Sequence, residues 1–223
     1  MARRQDADTG AAPSSRTLET RRRLIATAEY LFAEIGFDAV SLRQIAAAAG
    51  QRNTNVVRYH FGNKERLIEA IFEHRQAELE PIRVAMLAKI PEDAGAEAID
   101  DLLAIIIRPP LLIVDQEERY RYVKLVASYL NRHRDSGVRH PLDYAPELLP
   151  TIIAAQTRLF ELLDLSRQIF DLRIQMVTGM ALHAVIQRRE RVVAGLSCPS
   201  EEEVVEDVMM MASAAMRAPM WQR

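Results

Sequence analysis

Apolar residues recur along this chain at the three- and four-residue spacing of an amphipathic helix. The first clear stripe consists of Leu24, Ile25, Ala28, Leu31, Phe32 and Ile35. A helix that begins near Thr17 and ends before Gly36 places this stripe on one face. Strand-like alternation is not convincing in any segment, and the 223 residues include only 8 Gly. The pattern predicts an all-α protein.

Polar residues and one glycine then divide residues 36–80 into three further helices. The spacing Ser41–Gln44 is that of a capping box and predicts a short helix that ends at Gly50. Asn53 is predicted to cap a third helix that ends near residue 61, and Asn63 to cap a fourth. Four helices therefore fill the first third of the chain.

Prolines divide the remaining residues. Pro81 is expected to kink or restart the fourth helix, because proline lacks an amide hydrogen. Between the later breaks we predict helices at about 94–107, 110–133, 147–164, 166–193 and 200–217, which makes about nine in all. The predicted organisation is a disordered arm (residues 1–16), a small helical domain (17–80) and a larger helical domain (81–223).

Charge is divided unevenly between the two parts of the chain. The whole chain has a formal net charge of −2. Residues 1–75 nevertheless contain 12 Lys and Arg against 9 Asp and Glu, and residues 76–223 contain 17 against 22. This division favours an N-terminal module that binds a polyanion, followed by an acidic body. An imbalance of this size is weak evidence by itself, and a sequence motif is needed to support it.

Other features of the sequence exclude some classes of protein. The single cysteine, Cys198, can form no intramolecular disulfide, which fits a cytoplasmic location. The richest apolar stretch, Leu102–Val114, contains Arg108 and is too short to span a bilayer of about 30 Å, so we expect no contact with a membrane. The spacing of the polar residues suggests neither a catalytic constellation nor a metal site. We therefore expect a protein that is not an enzyme and that needs no metal and no cofactor.

Residues 41–61 contain the most informative pattern. A capped helix of about two turns, a turn with glycine and a second short polar helix make a helix-turn-helix, whose second helix lies in the major groove of DNA. Its exposed Arg and Asn side chains suit base edges, and its hydroxyls and cations suit phosphates. The candidate DNA-binding residues are Ser41, Arg43, Gln44, Arg52, Asn53, Thr54, Asn55, Arg58, Tyr59 and Lys64. A solvated surface is the alternative for the individual base contacts, those of Arg52, Asn53, Asn55 and Arg58.

This segment and its flanks resemble the N-terminal domain of the TetR family of transcriptional regulators. The resemblance covers about residues 18–75 and rests on RLIATAEYLFAEIGF (23–37), SLRQIA (41–46) with Ala49 and Gly50, and YHFGNKERL (59–67). It implies phosphate contacts from Lys64 and from Tyr59 or His60. The chain departs from the family in one respect, because the Phe that ends the motif follows the turn glycine by eleven positions instead of the common ten. The extra residue lies within 51–54.

For the rest of the chain, the resemblance implies a small-molecule effector site and a twofold dimer. The dimer would form through the last two helices, here predicted at 166–193 and 200–217, the first of which is apolar over much of its circumference. The candidate ligand-binding residues are Tyr122, Tyr129, Phe160, Met176, Met180 and His183. Ordinary packing in the core or at the dimer interface is the alternative for each of them.

The sequence thus predicts a ligand-responsive transcriptional regulator of bacterial type. We expect a repressor that binds a palindromic operator in double-stranded DNA as a homodimer and is released by an unknown small-molecule effector. The alternative is a helical ligand-binding or scaffold protein whose helix-turn-helix no longer binds DNA. The effector, the operator and the regulated genes are not predicted.

Overall fold

The computed structural model describes residues 15–133, 138–139 and 141–221, and this part of the chain is helical with no strand. Its ten α-helices are α1 Ser15–Ile35, α2 Leu42–Ala48, α3 Val56–Phe61, α4 Lys64–Leu87, α5 Ile99–Ile107, α6 Gln116–Ser128, α7 Pro141–Tyr144, α8 Pro150–Leu162, α9 Arg167–Val193 and α10 Glu201–Arg217. The predicted all-α fold is confirmed. The expected disordered arm, residues 1–16, lies outside the described residues as far as residue 14, and α1 begins at Ser15.

The helix predicted at 110–133 is interrupted at both ends. A 3₁₀ turn occupies Pro109–Leu112, and α6 begins only after Asp115, whose carboxylate accepts a hydrogen bond from the backbone N–H of Glu118 at 2.9 Å. At its other end α6 continues into a π-helical turn, Tyr129–His133. The four residues of α7 were not predicted, because so short a helix shows no apolar period.

The helix α4 runs through Pro81 without restarting there. Proline cannot donate to the carbonyl of Ala77, one turn earlier, but both residues are exposed, so the missing hydrogen bond lies on the solvent side of the helix. The predicted boundary between the two domains therefore falls inside one continuous helix. The division at residue 80 itself stays a prediction.

Three apolar clusters hold the described helices together, and α4 contacts the two larger ones. The first cluster joins α1, α2, α3 and α4 around Leu24, Ile45 and Phe72, and extends to Tyr122 of α6. The second joins α5, α8, α9 and α10 around Phe170, and the end of α4 packs against it. The helix-turn-helix segment and the larger helical body are thus linked by packing as well as by the chain.

By length and composition, α9 could cross a membrane, and it is the one described helix of which this is true. A core helix of a folded protein meets the same criterion. Here α9 packs against α10 through Val177 and Ala181 and against α6 through Val185. The expectation that no helix spans a membrane was based on Leu102–Val114 alone and did not consider this helix.

A buried cluster of charges fixes α4 against α1 and α6. The Nε of Arg75 donates to both carboxylate oxygens of Glu29 at 3.1 Å, and its Nη2 donates to one of them at 3.0 Å. Its Nη1 donates to Glu78 at 2.8 Å and to Glu118 at 3.2 Å. Burial acts to lower the pKa of Arg75, but the contacts with Glu29 and Glu78 together outweigh it and raise this pKa. Burial raises the pKa of Glu29 while Arg75 opposes the rise. Since one guanidinium gives three hydrogen bonds to this carboxylate, the geometry is that of an ionised pair.

The substitution Arg75→Met is expected to lower the free energy of unfolding by about 3–5 kcal/mol, because it leaves the carboxylate of Glu29 buried without its cation. Adding Glu29→Leu removes both charges and should recover part of the loss. Urea unfolding followed by circular dichroism measures both changes. The control is Arg167→Met, at an exposed ion pair with Asp171, where we expect a change below about 1 kcal/mol. Equal losses in Arg75→Met and in the control would contradict this account.

Candidate nucleic-acid interface and adjoining cavity

The helices α2 and α3 pack on each other through buried apolar residues. Ile45 and Ala49 contribute from the side of α2, and Val57 and Phe61 from α3, as the sequence predicted. Gly50 has a φ of +69°, in the left-handed region that favours glycine, which lets the chain turn sharply after α2. The geometry is that of the predicted helix-turn-helix.

The predicted capping box at the start of α2 is present. The backbone N–H of Ser41 donates to Gln44 Oε1 at 2.8 Å, and the backbone N–H of Gln44 donates to the Ser41 hydroxyl at 3.3 Å. Both side chains are exposed, as is Arg43 between them. The amide hydrogens of Gln44 remain able to donate outward, while most of the polar atoms of this pair define the helix start. A DNA contact from these three residues stays a prediction.

The helix α3 begins later than predicted, at Val56. The side chain of Asn53 accepts a hydrogen bond from the backbone N–H of Asn55 at 2.9 Å, which closes the turn before the helix instead of capping it. The candidate residues Arg52, Asn53, Thr54 and Asn55 therefore all lie in an exposed segment ahead of α3. This segment contains the extra residue relative to the family spacing.

One exposed face continues from this turn along α3. Asn55, Arg58 and Tyr59 follow one another at the spacing that puts side chains on one side of a helix, and Tyr59 is 82% exposed. His60, the next residue, is half-buried. Burial lowers the pKa of His60, and the charge of Arg21 lowers it further, so the imidazole is neutral at pH 7.

Arg21 belongs to α1 and is a basic residue of this surface that sequence reasoning missed. Its guanidinium carbon lies 4.9 Å from the centroid of the Phe61 ring, at the end of α3. In the sequence, Arg21 belongs to the basic run Arg21–Arg23, and this run could have indicated a residue of the DNA-facing surface. The structure therefore adds a cation beside the predicted recognition helix.

Lys64 has structural partners that the sequence did not indicate. Its ammonium donates to the carbonyl of Phe37 at 2.6 Å and to that of Val40 at 3.2 Å, both in the connection between α1 and α2. An ammonium has three hydrogens, so one remains for another acceptor. Lys64 holds the start of α4 against the segment that leads into α2, and its phosphate contact stays a prediction.

We expect Lys64→Met to lower the free energy of unfolding by about 1–3 kcal/mol, because two carbonyls lose a charged donor. Thermal and urea unfolding of the free protein measure the effect. Arg43→Met, which removes the same charge from the exposed face of α2, is the matched control and should change stability by less than about 0.5 kcal/mol. A Lys64→Met protein as stable as the control would show that the ammonium does not hold this connection in solution.

A second candidate site is a cavity of about 450 Å³ enclosed by α4, α5, α6, α8 and α9. Much of its wall is apolar, from residues that include Ile106, Ile107, Val126, Leu130, Ile152 and Ile174. Polar side chains make up a large part of the rest, and they include Gln76, Arg83, Asp143, Gln156, Arg167, Asp171 and Gln175. Volume and composition are those of a small-molecule site.

Two of the six predicted ligand-binding residues line this cavity. They are Tyr122 and Tyr129, and both are buried. The hydroxyl of Tyr122 accepts a hydrogen bond from Gln76 Nε2 at 2.9 Å, and burial raises the pKa of Tyr122, so its proton is retained. The Tyr129 ring packs edge-on against Phe72, with 5.1 Å between centroids.

The other four predicted residues do not line the cavity. Phe160 packs edge-on against Phe170 at 5.2 Å, and Met180 packs partly buried against the second apolar cluster. Met176 and His183 are exposed on α9. The phase of α9 explains this result, because the face toward the cavity is formed by Ile174, Thr178 and Leu182, roughly half a turn away from Met176 and His183.

Sequence reasoning also missed the polar residues that α4 contributes to the cavity. Gln76 and Arg83 are 3% and 2% exposed, on the same face of α4 as the buried Leu79. Their spacing from Leu79, three residues back and four residues forward, is the spacing of a core-facing stripe. In the sequence, polar residues at core-facing positions of this stripe were the signal from which a polar site could have been predicted.

Comparison with known proteins agrees with this architecture. Residues 24–71 match the sequence model of the family described as bacterial regulatory proteins, tetR family. No curated protein matches the chain. A tetR family transcription regulator from Shewanella sp. PV-4 has a similar fold, with 18% identity and a TM-score of 0.58 over 90% of this chain and 99% of that one. GusR from Salmonella enterica is also similar, with 21% identity and a TM-score of 0.54 over 90% and 97% of the two chains.

The described residues define an all-helical fold whose N-terminal part contains a helix-turn-helix. The N-terminal domain belongs to the tetR family of bacterial regulatory proteins, and the described chain as a whole has the fold of TetR family transcriptional regulators. The family predicted from the sequence is thus confirmed for the segment that the sequence model matches, residues 24–71.

Proposed function

We propose that this protein is a ligand-responsive repressor. A homodimer binds a palindromic operator in double-stranded DNA, and a small molecule in the cavity beside α4 releases it. The observation that carries the proposal is the continuity of α4. Lys64, its first residue, holds the connection into α2, and Gln76 and Arg83, further along the same helix, line the cavity.

The proposed DNA interface consists of the exposed face of α3 and the residues around it. Asn55 and Arg58 would contact base edges, while Ser41, Tyr59 and Lys64 would contact phosphates and set the register of α3 in the major groove. Residues 16–66 contain 9 basic against 5 acidic residues, so the local charge favours a polyanion although the whole chain is acidic. The domains proposed from the sequence, residues 17–80 for DNA and 81–223 for effector and dimer, would share α4.

The proposed mechanism is thermodynamic linkage between the cavity and the DNA. A ligand that binds better to a conformation with the wrong spacing of recognition helices lowers DNA affinity by its differential affinity for the two conformations. The helix α4 gives this linkage a physical route. A shift near Arg83 moves a helix that is fixed to α1 through Arg75 and Glu29 and to the connection before α2 through Lys64.

The proposed dimer forms through α9 and α10. Leu172 and Met176 on α9 are 51% and 63% exposed, and Met210 and Met211 on α10 are 66% and 44% exposed. These helices pack against each other, so a twofold contact could bury the exposed apolar residues of both. The two recognition helices would then reach half-sites about 34 Å apart or a multiple of that distance.

Met176→Arg is expected to raise the dimer dissociation constant by at least about tenfold, because it places a charge where an apolar side chain would be buried. Light scattering during size-exclusion chromatography over a range of protein concentrations measures this. Val114→Arg, at a residue 95% exposed outside the proposed face, is the control and should leave the dimer intact. A wild-type protein that is monomeric at micromolar concentration would rule out the proposed assembly.

Arg58→Ala is expected to weaken operator binding by about 1–3 kcal/mol if Arg58 contacts a base. Fluorescence anisotropy with DNA from beside the gene, between about 50 and 200 mM salt, gives both the affinity and its salt slope. If Arg58→Ala weakens binding to every DNA sequence equally, and the slope of log affinity against log salt concentration becomes smaller by about one, Arg58 contacts a phosphate instead. Arg158→Ala on α8, outside the helix-turn-helix, is the control. No binding at any salt concentration would favour the alternative, a ligand-binding protein whose helix-turn-helix does not bind DNA.

A further inference from the structure

Arg83 is a buried cation with an incomplete set of hydrogen bonds. Its side chain is 2% exposed and lines the cavity, and its Nη1 contacts Glu80 at 3.4 Å. Its buried Nε has no partner among the described residues. Burial lowers the pKa of Arg83, and neither Tyr122 nor Glu80 cancels that effect. The charge of Arg83 is therefore only partly compensated by the part of the chain that the structure describes.

Arg75, a second buried arginine on α4, has a charge that is fully compensated by neighbouring carboxylates. Arg75 donates to Glu29, Glu78 and Glu118 at distances of 2.8 to 3.2 Å, and its pKa is raised instead of lowered, since these contacts outweigh burial. A structural role accounts for Arg75. It does not account for Arg83, because a buried donor without a partner costs about 1–3 kcal/mol.

The carboxylate that contacts Arg83, that of Glu80, also accepts a hydrogen bond from another group. Glu80 Oε1 accepts a hydrogen bond from the backbone N–H of Thr151 at 3.0 Å, near the start of α8, and only Glu80 Oε2 faces the guanidinium. Since this contact uses Nη1, the Nε of the guanidinium is left without an acceptor among the described residues. A carboxylate is the planar acceptor that matches the Nε edge of a guanidinium.

The other polar groups of the cavity narrow the choice of ligand. Two acidic residues line the cavity, Asp143 and Asp171. Asp171 is paired with Arg167 at 2.9 Å and Asp143 is exposed, and neither is among the groups that raise the pKa of Arg83. Gln76 lies two helical turns before Arg83, about 10 Å along α4. Its Oε1 is buried without a partner among the described residues, and as an acceptor it favours a hydroxyl or N–H over a second carboxylate.

We propose that the cavity binds an amphipathic monocarboxylic acid. The carboxylate lies against the Nε edge of Arg83, and the apolar part of the ligand lies along Ile106, Ile152 and Ile174. The cavity, at about 450 Å³, has room for a small organic acid of this kind. This inference rests on the proposed effector site and names the chemical class of its ligand.

The test is isothermal titration calorimetry of the full-length protein with two matched pairs of probes, octanoate with octanamide and 4-phenylbutyrate with 4-phenylbutanamide. We expect each acid to bind the wild type at least about tenfold more tightly than its amide, because only the acid forms a charge-assisted pair with Arg83. Arg83→Met should remove this preference. Arg167→Met, at the other arginine that lines the cavity, should retain it.

Two further measurements keep the test independent of folding. Ligand-free Arg83→Met should melt no lower than the wild type, because the substitution removes an undercompensated buried charge, and a marked fall would assign Arg83 a structural role and overturn the proposal. Arg83→Lys keeps the charge without the planar edge, and it should bind the acids more weakly than the wild type while still preferring them to the amides. Loss of that preference in Arg83→Lys would contradict a charge-assisted pair.

Failure of this inference and failure of the proposed function would look different. Amides that bind the wild type as tightly as the acids, or acids that do not bind at millimolar concentration, would overturn the ligand class and leave DNA binding untouched. Absence of DNA binding across the salt range would overturn the repressor and leave a preference for acids in place.

Discussion

The Arg75 guanidinium lies buried where α1, α4 and α6 meet, and the arrangement of the molecule depends on its contact with Glu29. Separating α1 from α4 would strand one of these charges in an apolar interior, at a cost of several kcal/mol. The two helices therefore move together. Since α1 packs against α2 in the first apolar cluster, a displacement of α4 carries the helix-turn-helix with it. In the proposed mechanism, this ion pair is what would let a displacement of α4 reach the helix-turn-helix.

Three of the four Lys and Arg side chains of α4 differ in how fully they are compensated, and among these three the difference follows their position. Lys64 at the start donates two of its three hydrogens to carbonyls before α2, and Arg75 in the middle contacts three carboxylates. Arg83, near the cavity, has one long contact, and two residues before it Pro81 removes a hydrogen bond of the helix. The end of α4 toward the proposed DNA interface is thus fixed by the contacts of Lys64 and Arg75. The end at the cavity is where a ligand can add contacts.

Features that depend on neighbours within one turn of helix could be predicted from the sequence. The apolar stripe of α1 and the capping box at Ser41 are of this kind, and with the spacing of the motif they were enough to give the family. Contacts between distant residues could not be predicted. Lys64 meets carbonyls 24 and 27 positions away, and Arg75 meets a carboxylate 46 positions away. The interruption before α3 and the continuity of α4 through Pro81 likewise depend on what each segment packs against.

The misplaced ligand residues show why helical phase matters for the mechanism. Ile174, Thr178 and Leu182 face the cavity, while Leu172, Met176 and His183 lie roughly half a turn away on the same helix. One helix thus provides a wall of the cavity and, in the proposed dimer, part of the contact with the partner subunit. A ligand that displaces this wall changes the surface on which the partner rests. Twofold symmetry applies the same displacement to both subunits. A small shift of α9 would therefore move both recognition helices, and the change in their separation would be the sum of the two movements.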